Sequence, residues 1–157
     1  MTEGINTVID GNGVATLTIN RRNKSNAFNE SMVLAFNAEM EKLNSQRELR
    51  AVVMQAAGKI FCAGADLTYL CHKGEESWEK NLTDAKAYAE MTNWLRVLRV
   101  PVIAKVQGGA FGGGVGFIAA SDIVITENKA TFAITEGKYG FTASIIMPYL
   151  LPRIGTR

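Results

Sequence analysis

The sequence predicts an α/β fold of the α+β kind, with short strands and helices alternating in a ββα order. Three observations carry it. A Gly11-Asn12-Gly13 turn splits two β-rich runs, an apolar stripe at helical spacing follows, and a glycine-rich run later joins a strand to a helix. With 157 residues, 47% apolar content and a formal net charge of +2, the chain suits one soluble domain with its own core.

The elements follow in order. Ile5 to Asp10 and Val14 to Asn20 form an antiparallel opening pair around the glycine turn, and a basic polar loop runs from Asn20 to Ala27. From Asn29 as N-cap, Met32, Phe36, Met40 and Leu43 recur at three- and four-residue spacing and mark a helix to about Asn44. Ala51 to Ala57, apolar except for Gln55, suits a strand covered on both faces, and Gly58 opens a loop. Within Ile60 to Leu67, Cys62 reads as a packed thiol and Asp66 as a helix cap. Gly74 to Lys80 reads as a charged loop. The stripe Leu82, Ala85, Tyr88, Ala89, Met91, Trp94, Leu95 and Leu98 predicts a long helix that stops before Pro101.

Six of the ten residues from Gln107 to Gly116 are glycine, set between the apolar runs Pro101 to Val106 and Phe117 to Ala120. So many residues without a Cβ cost conformational entropy, and the backbone there should do what a side chain would obstruct. Two uses fit: close packing of helix on strand, or bare N–H groups at a helix N-terminus aimed at a developing negative charge. Ile123 to Thr126 and Ala130 to Ile134 are further strands, the second delivering Thr135-Glu136-Gly137 at its end. A carboxylate in that place suits proton transfer when buried and is otherwise a loop-rim acid.

Several chemistries are excluded or disfavoured. No register of the glycine run gives G-x-G-x-x-G, and Gly108 and Gly113 are followed by Gly114 and Val115 rather than by Lys and Ser/Thr, so dinucleotide and phosphate-loop sites lose their support. There is no G-x-S-x-G, and His72 is the single histidine, which leaves a hydrolytic triad one base in a polar segment. Scattered positive charge argues against nucleic acid, although Arg21, Arg22 and Lys24 can meet one anionic ligand. Two cysteines, no signal-like start and no spanning apolar run point to a cytoplasmic protein without disulfides, metal or membrane.

The segments Asn20-Arg21 with Lys24 and Asn26-Ala27-Phe28, then Phe61 to Leu67, Val106-Gln107-Gly108 with Gly112-Gly113-Gly114, and Ser121-Asp122-Ile123, in this order and spacing, resemble the crotonase family of enoyl-CoA hydratases and isomerases. Ala110 to Gly116, Thr135-Glu136 and Met147-Pro148-Tyr149 look most like its bacterial methylglutaconyl-CoA hydratase branch.

The resemblance implies a crotonase-like spiral of repeated ββα units over 1–157, an acyl-CoA substrate, and a role in fatty acid metabolism or leucine degradation. It implies no cofactor beyond coenzyme A as part of the substrate. It further implies that the N–H groups of Ala65 and Gly113 hold the thioester oxygen, and that Glu136 moves the proton. Lys24, Ala27 and Phe28 would meet the coenzyme's phosphates and pantetheine. Ala63, Asp66 and Leu67 would wall its adenine end, and Gly64, Gly109, Gly112, Gly116 and Thr135 complete the expected contacts.

Where many family hydratases carry a second glutamate, this chain has Gly116, so hydration would run through Glu136 alone, with isomerisation as the alternative. Family members continue into a helical region that covers the acyl pocket and builds a trimer or a dimer of trimers. On this resemblance the 157 residues would lack such a region, which leaves open an acyl-CoA-binding fragment without turnover. Ile145 to Ile154 with the helix at 82–98 would then form an uncovered apolar surface. Trp78, Met91, Phe117, Phe141 and Met147 are candidates for lining the acyl pocket.

Overall fold

The computed structural model describes residues 4–156. Strands β1 (Gly4–Ile9) and β2 (Val14–Asn20) form the antiparallel hairpin that the glycine turn predicts. Asp10 closes the turn, its Oδ1 accepting from the N–H groups of Asn12 (2.8 Å) and Val14 (3.0 Å). Helix α1 (Glu30–Ser45) starts at Asn29, whose side chain accepts from the Met32 N–H, and it buries Met32, Val33, Phe36, Met40 and Leu43. This stripe lies in one core with Leu17 and Ile19 of β2, Val52 and Met54 of β3 (Ala51–Ala56), and Val102 and Ala104 of β4 (Val102–Val106). Each such side chain contributes roughly 1.5–3 kcal/mol on burial, so the stripe outweighs any local helix propensity.

β6 (Ile123–Thr126) completes a five-stranded sheet ordered β1-β2-β3-β4-β6, parallel from β2 onward. A second, narrower sheet pairs β5 (Gly109–Phe111) with β7 (Thr131–Ala133). Isolated parallel bridges from Cys62 to Ala110 and from Phe28 to Ala65 carry the pairing from β5 through the Cys62–Ala65 loop to Phe28. Thus β4, β5 and α4 (Gly113–Ala120) make one turn of a ββα spiral, and β6, β7 and the helical segments after them make the next.

Two helical boundaries depart from expectation. Asp66 caps a helix the sequence left unassigned, α2 (Leu67–Lys73), by accepting from the Thr68 N–H at 2.9 Å. The predicted loop at 74–80 ends early, because Ser77 caps α3 (Trp78–Val97) by accepting from the Lys80 N–H. The expected uncovered apolar surface is covered only in part, with Leu82, Val97 and Ile154 exposed. α5 (Met147–Ile154) packs on α4, burying Ile146 and Leu150 against Val115 and Ala119. Exposed besides these are β6, at the end of the large sheet, and β7, including Ile123, Ile125 and Phe132.

Candidate active site

The glycine run packs its backbone closely and leaves a bare N–H at the start of a helix. Gly112 adopts φ 51° just ahead of α4, a backbone state that suits glycine, and this turn leaves Gly113 as the first helical residue with its N–H free of the helix ladder. Opposite it, Gly64 sits at φ 87°, and a Cβ there would lie 2.8 Å from the Phe111 carbonyl oxygen and 3.3 Å from the Gly113 nitrogen. The two loops therefore touch backbone to backbone. Ala65 is held by its neighbours: Phe28 N–H donates to Gly64 O and Asp66 N–H donates to Phe28 O, both at 2.8 Å. Among the described residues neither the Ala65 nor the Gly113 N–H donates a hydrogen bond.

These two donors face a cavity of about 750 Å³. Glu136 stands on its wall, on the 3-10 turn Glu136–Tyr139 that follows β7. Its Oε2 is buried without a hydrogen-bond partner among the described residues, while its Oε1 lies beside Gly112, 3.1 Å from where a Cβ would be. An unpaired buried carboxylate oxygen is costly unless something occupies the cavity. Thr135 shares this wall.

Lys24, Ala27, Ala63, Asp66 and Leu67 line the same cavity. Lys24 is exposed, and its loop is fastened by Asn26, buried at φ 58°, which donates to the carbonyls of Ala57 (2.8 Å) and Ile60 (2.7 Å) and accepts from the Arg21 N–H. Arg21 pairs with Asp66 at 2.6 Å and also donates to Ala27 O. Burial alone would raise the Asp66 carboxyl, but the Arg21 hydrogen bond, the Thr68 N–H and the charges of Arg21 and Lys24 together hold it below the usual carboxylate range.

Three of the expected contact residues lie away from the cavity. Phe28 is wholly buried with its ring edge-on to Phe117, and its backbone serves the site by holding Gly64 and Asp66. Gly109 lies under the Thr131 carbonyl, and Gly116 lies under Ile146, whose side chain would collide with any Cβ there. Of the candidates for the acyl wall, Phe141 lines the cavity. Met91 and Phe117 are fully buried in the core, Met147 packs against the α4–α5 cluster, and Trp78 is exposed.

Cys62 is a packed thiol, its Sγ accepting from the Gly64 N–H and its pKa pushed up to about 12 by burial. Among the described residues no group of His, Cys, Asp and Glu side chains is arranged to hold a metal ion. Nor is any helix of those residues long and apolar enough to cross a membrane.

The sequence missed part of the wall. Tyr88 of α3 places its hydroxyl against Gly113, where a Cβ would overlap it. Burial, and then the charges of Cys62 and Glu136, push its pKa up, so it stays a neutral hydroxyl. Lys73 and Asp84 pair across α2 and α3 at the cavity wall, and Lys80 joins Asp84 (2.7 Å) to Glu30 of α1 (2.5 Å). Burial opposes the charge on Lys73, but its bonds to Asp84 and Glu76 outweigh it and hold the ammonium above its ordinary range. The available signal for Tyr88 was a helical stripe, which marks a residue as inward-facing without saying whether its tip meets core or cavity.

Comparison with known proteins converges on one family. The model for "Enoyl-CoA hydratase/isomerase" matches residues 10–157. The human mitochondrial Delta(3,5)-Delta(2,4)-dienoyl-CoA isomerase is 36% identical over 155 residues, covering 90% of this chain and 45% of that protein. The 1,2-epoxyphenylacetyl-CoA isomerase of Escherichia coli K12 is 30% identical over 146 residues, covering 92% and 56%. The crystal structure of an enoyl-CoA hydratase from Shewanella pealeana superposes with a TM-score of 0.92 at 35% identity, covering 98% of this chain and 57% of the other. The chain thus spans about half the length of the curated relatives it matches. Its fold, its paired backbone donors and these matches together establish that the chain belongs to the enoyl-CoA hydratase/isomerase family.

Proposed function

We propose that this protein hydrates an α,β-unsaturated acyl-CoA, with coenzyme A entering only as part of the substrate and no other cofactor. One observation carries the reading: two undonated N–H groups and a carboxylate with an unpartnered buried oxygen face one cavity. The thioester oxygen accepts from the N–H groups of Ala65 and Gly113. Glu136 takes a proton from water as the water oxygen bonds to the β-carbon, and the π electrons of the C=C bond pass to an enolate oxygen. Two such donors, worth roughly 3 kcal/mol each in a dry site, stabilise that charge. The enolate then collapses, and its α-carbon takes the proton back from Glu136, which regenerates the carboxylate.

Lys24 supplies positive charge at the cavity rim for the coenzyme's phosphates. For the acyl group we propose 3-methylglutaconyl as the first to try, on the resemblance of the Ala110 to Gly116 and Met147 to Tyr149 segments to that branch. We also propose a cytoplasmic homo-oligomer, a trimer or a dimer of trimers, supported by the uncovered apolar side chains of Ile123, Ile125 and Phe132.

A second reading, migration of a double bond within an enoyl-CoA, is favoured by Gly116. Ile146 fills the space above it, so Glu136 has no second carboxylate beside it there and can shuttle one proton between carbons. The test is to offer crotonyl-CoA, 3-methylglutaconyl-CoA and a trans-3-enoyl-CoA. Loss of conjugated-enoyl absorbance on the first two supports hydration, and its gain on the third supports isomerisation. Glu136→Gln should lower turnover in either case by roughly a hundredfold or more while acyl-CoA binding stays nearly intact, because the amide keeps the shape without accepting a proton. Undiminished turnover in that variant would remove Glu136 from the mechanism.

A further inference from the structure

We propose that the Tyr88 hydroxyl is a third hydrogen-bond donor to the developing enolate oxygen, beside the N–H groups of Ala65 and Gly113. This rests on the acyl-CoA reading above and adds to it a side chain from α3. The hydroxyl occupies the room that a Cβ on Gly113 would need, so it packs against the Cα of the residue that carries one of the two backbone donors while lining the cavity. Among the described residues its O–H has no hydrogen-bond acceptor, and it opens on the cavity. A neutral donor that opens on the cavity gains most from an acceptor that arrives with the substrate, and the strongest acceptor in this reaction is the enolate oxygen.

Its role is donation rather than proton transfer. Tyr88 is held protonated by burial, and deprotonating it would put a second negative charge near Glu136. The hydroxyl therefore keeps its proton throughout, and Glu136 remains the group through which protons pass. Gly116 bears on the same point: Ile146 and Thr92 fill the space above it, so no carboxylate stands there to share the reacting centre. A tyrosine donor strengthens oxyanion stabilisation without adding charge to that centre.

The test uses 4-dimethylaminocinnamoyl-CoA, a push–pull chromophore whose absorption moves to longer wavelength as donors draw charge onto its thioester oxygen. Bound to the unaltered protein it should show that shift. Tyr88→Phe should reduce the shift and lower kcat on crotonyl-CoA by roughly a hundredfold, the lower end for loss of one oxyanion donor, with the chromophore's Kd changed by less than about threefold. The pH dependence of kcat should stay as it was.

A full shift and full kcat in Tyr88→Phe would overturn the proposal while leaving Ala65, Gly113 and Glu136 in place. So would loss of a pH-profile limb in the variant, since that would make the hydroxyl a proton carrier. An unaltered protein that binds the chromophore without any shift would instead overturn the reading of the two loops, and this proposal with it. Should Tyr88→Phe not fold, 3-fluorotyrosine incorporated into the unaltered sequence decides the matter. Its more acidic hydroxyl should enlarge the shift, and an identical spectrum would count against a tyrosine donor.

Discussion

The backbone that carries the two N–H donors and the segment that carries Glu136 are built to different standards. Around the donors, Phe61, Cys62 and Ala110 are fully buried, Phe111 N–H donates to Cys62 O at 2.9 Å, and Phe28 clamps Gly64 and Asp66 from the other side. Around Glu136, β6 and β7 are exposed along their length, and the chain from Ile134 to Phe141 has no buried residue. It is tied back to the donor loops through β7, where Gly112 N–H donates to Ala133 O at 2.9 Å. The two N–H donors are thus pre-organised by the core, whereas the position of Glu136, the proposed proton carrier, depends on one short strand and on what lies over it.

The largest effect should come from breaking the rigid half. Gly113→Pro deletes one N–H and puts a ring where the Tyr88 hydroxyl stands, so acyl-CoA binding and turnover should fall together by roughly a hundredfold or more. Calorimetric titration with a non-reactive acyl-CoA checks the first and steady-state assay the second. Next is Gly108→Ala. Gly108 has φ 65°, and its Cβ would collide with the Lys59 carbonyl oxygen, a backbone atom that cannot swing aside. A loss of about 2–4 kcal/mol in denaturant unfolding is expected.

A smaller effect falls on Asp66. Its folded pKa lies below the unfolded value, so it adds stability that is present above the unfolded carboxylate pKa of about 4 and is lost as pH falls through the folded one. Asp66→Asn should therefore be less stable than the unaltered chain at neutral pH, and the gap should narrow on acidification below about pH 4. A gap that stays constant with pH would show that the Arg21 pair contributes nothing through ionisation. The smallest change belongs to the open half: Ile125→Thr, at an exposed position of β6, should leave unfolding within about 0.5 kcal/mol. A cost there comparable to that of Gly108→Ala would erase the contrast between the two halves.

What was legible in the sequence divides along the same line. The opening hairpin, the α1 stripe and the β3 run follow from local periodicity, and the structure places them within a residue or two. Asp66 was readable as a cap, but its helix was not, because seven residues with no buried side chain leave no apolar stripe. The second sheet was partly hidden, since the bridges at Phe28 and Cys62 are one residue long and carry no period. The donor loops and Glu136 came from resemblance, and the structure brings them to one cavity. Gly109 and Gly116 show the limit of that route, because a glycine demanded by packing and one demanded by a ligand look alike in a sequence.

The buried thiol of Cys62 has a consequence for redox chemistry. Burial pushes its pKa up to about 12, so the reactive thiolate is scarce at neutral pH, and the surrounding core denies access to oxidants. Cys71 stands exposed on α2, the helix whose neighbouring side chains Leu70 and Lys73 line the cavity. Sulfur chemistry is thereby divided between a sealed atom under the donor loop and an open one at the mouth. A maleimide dye will find Cys71 alone in the folded state, giving a fluorescent reporter beside the cavity without disturbing the two donor loops.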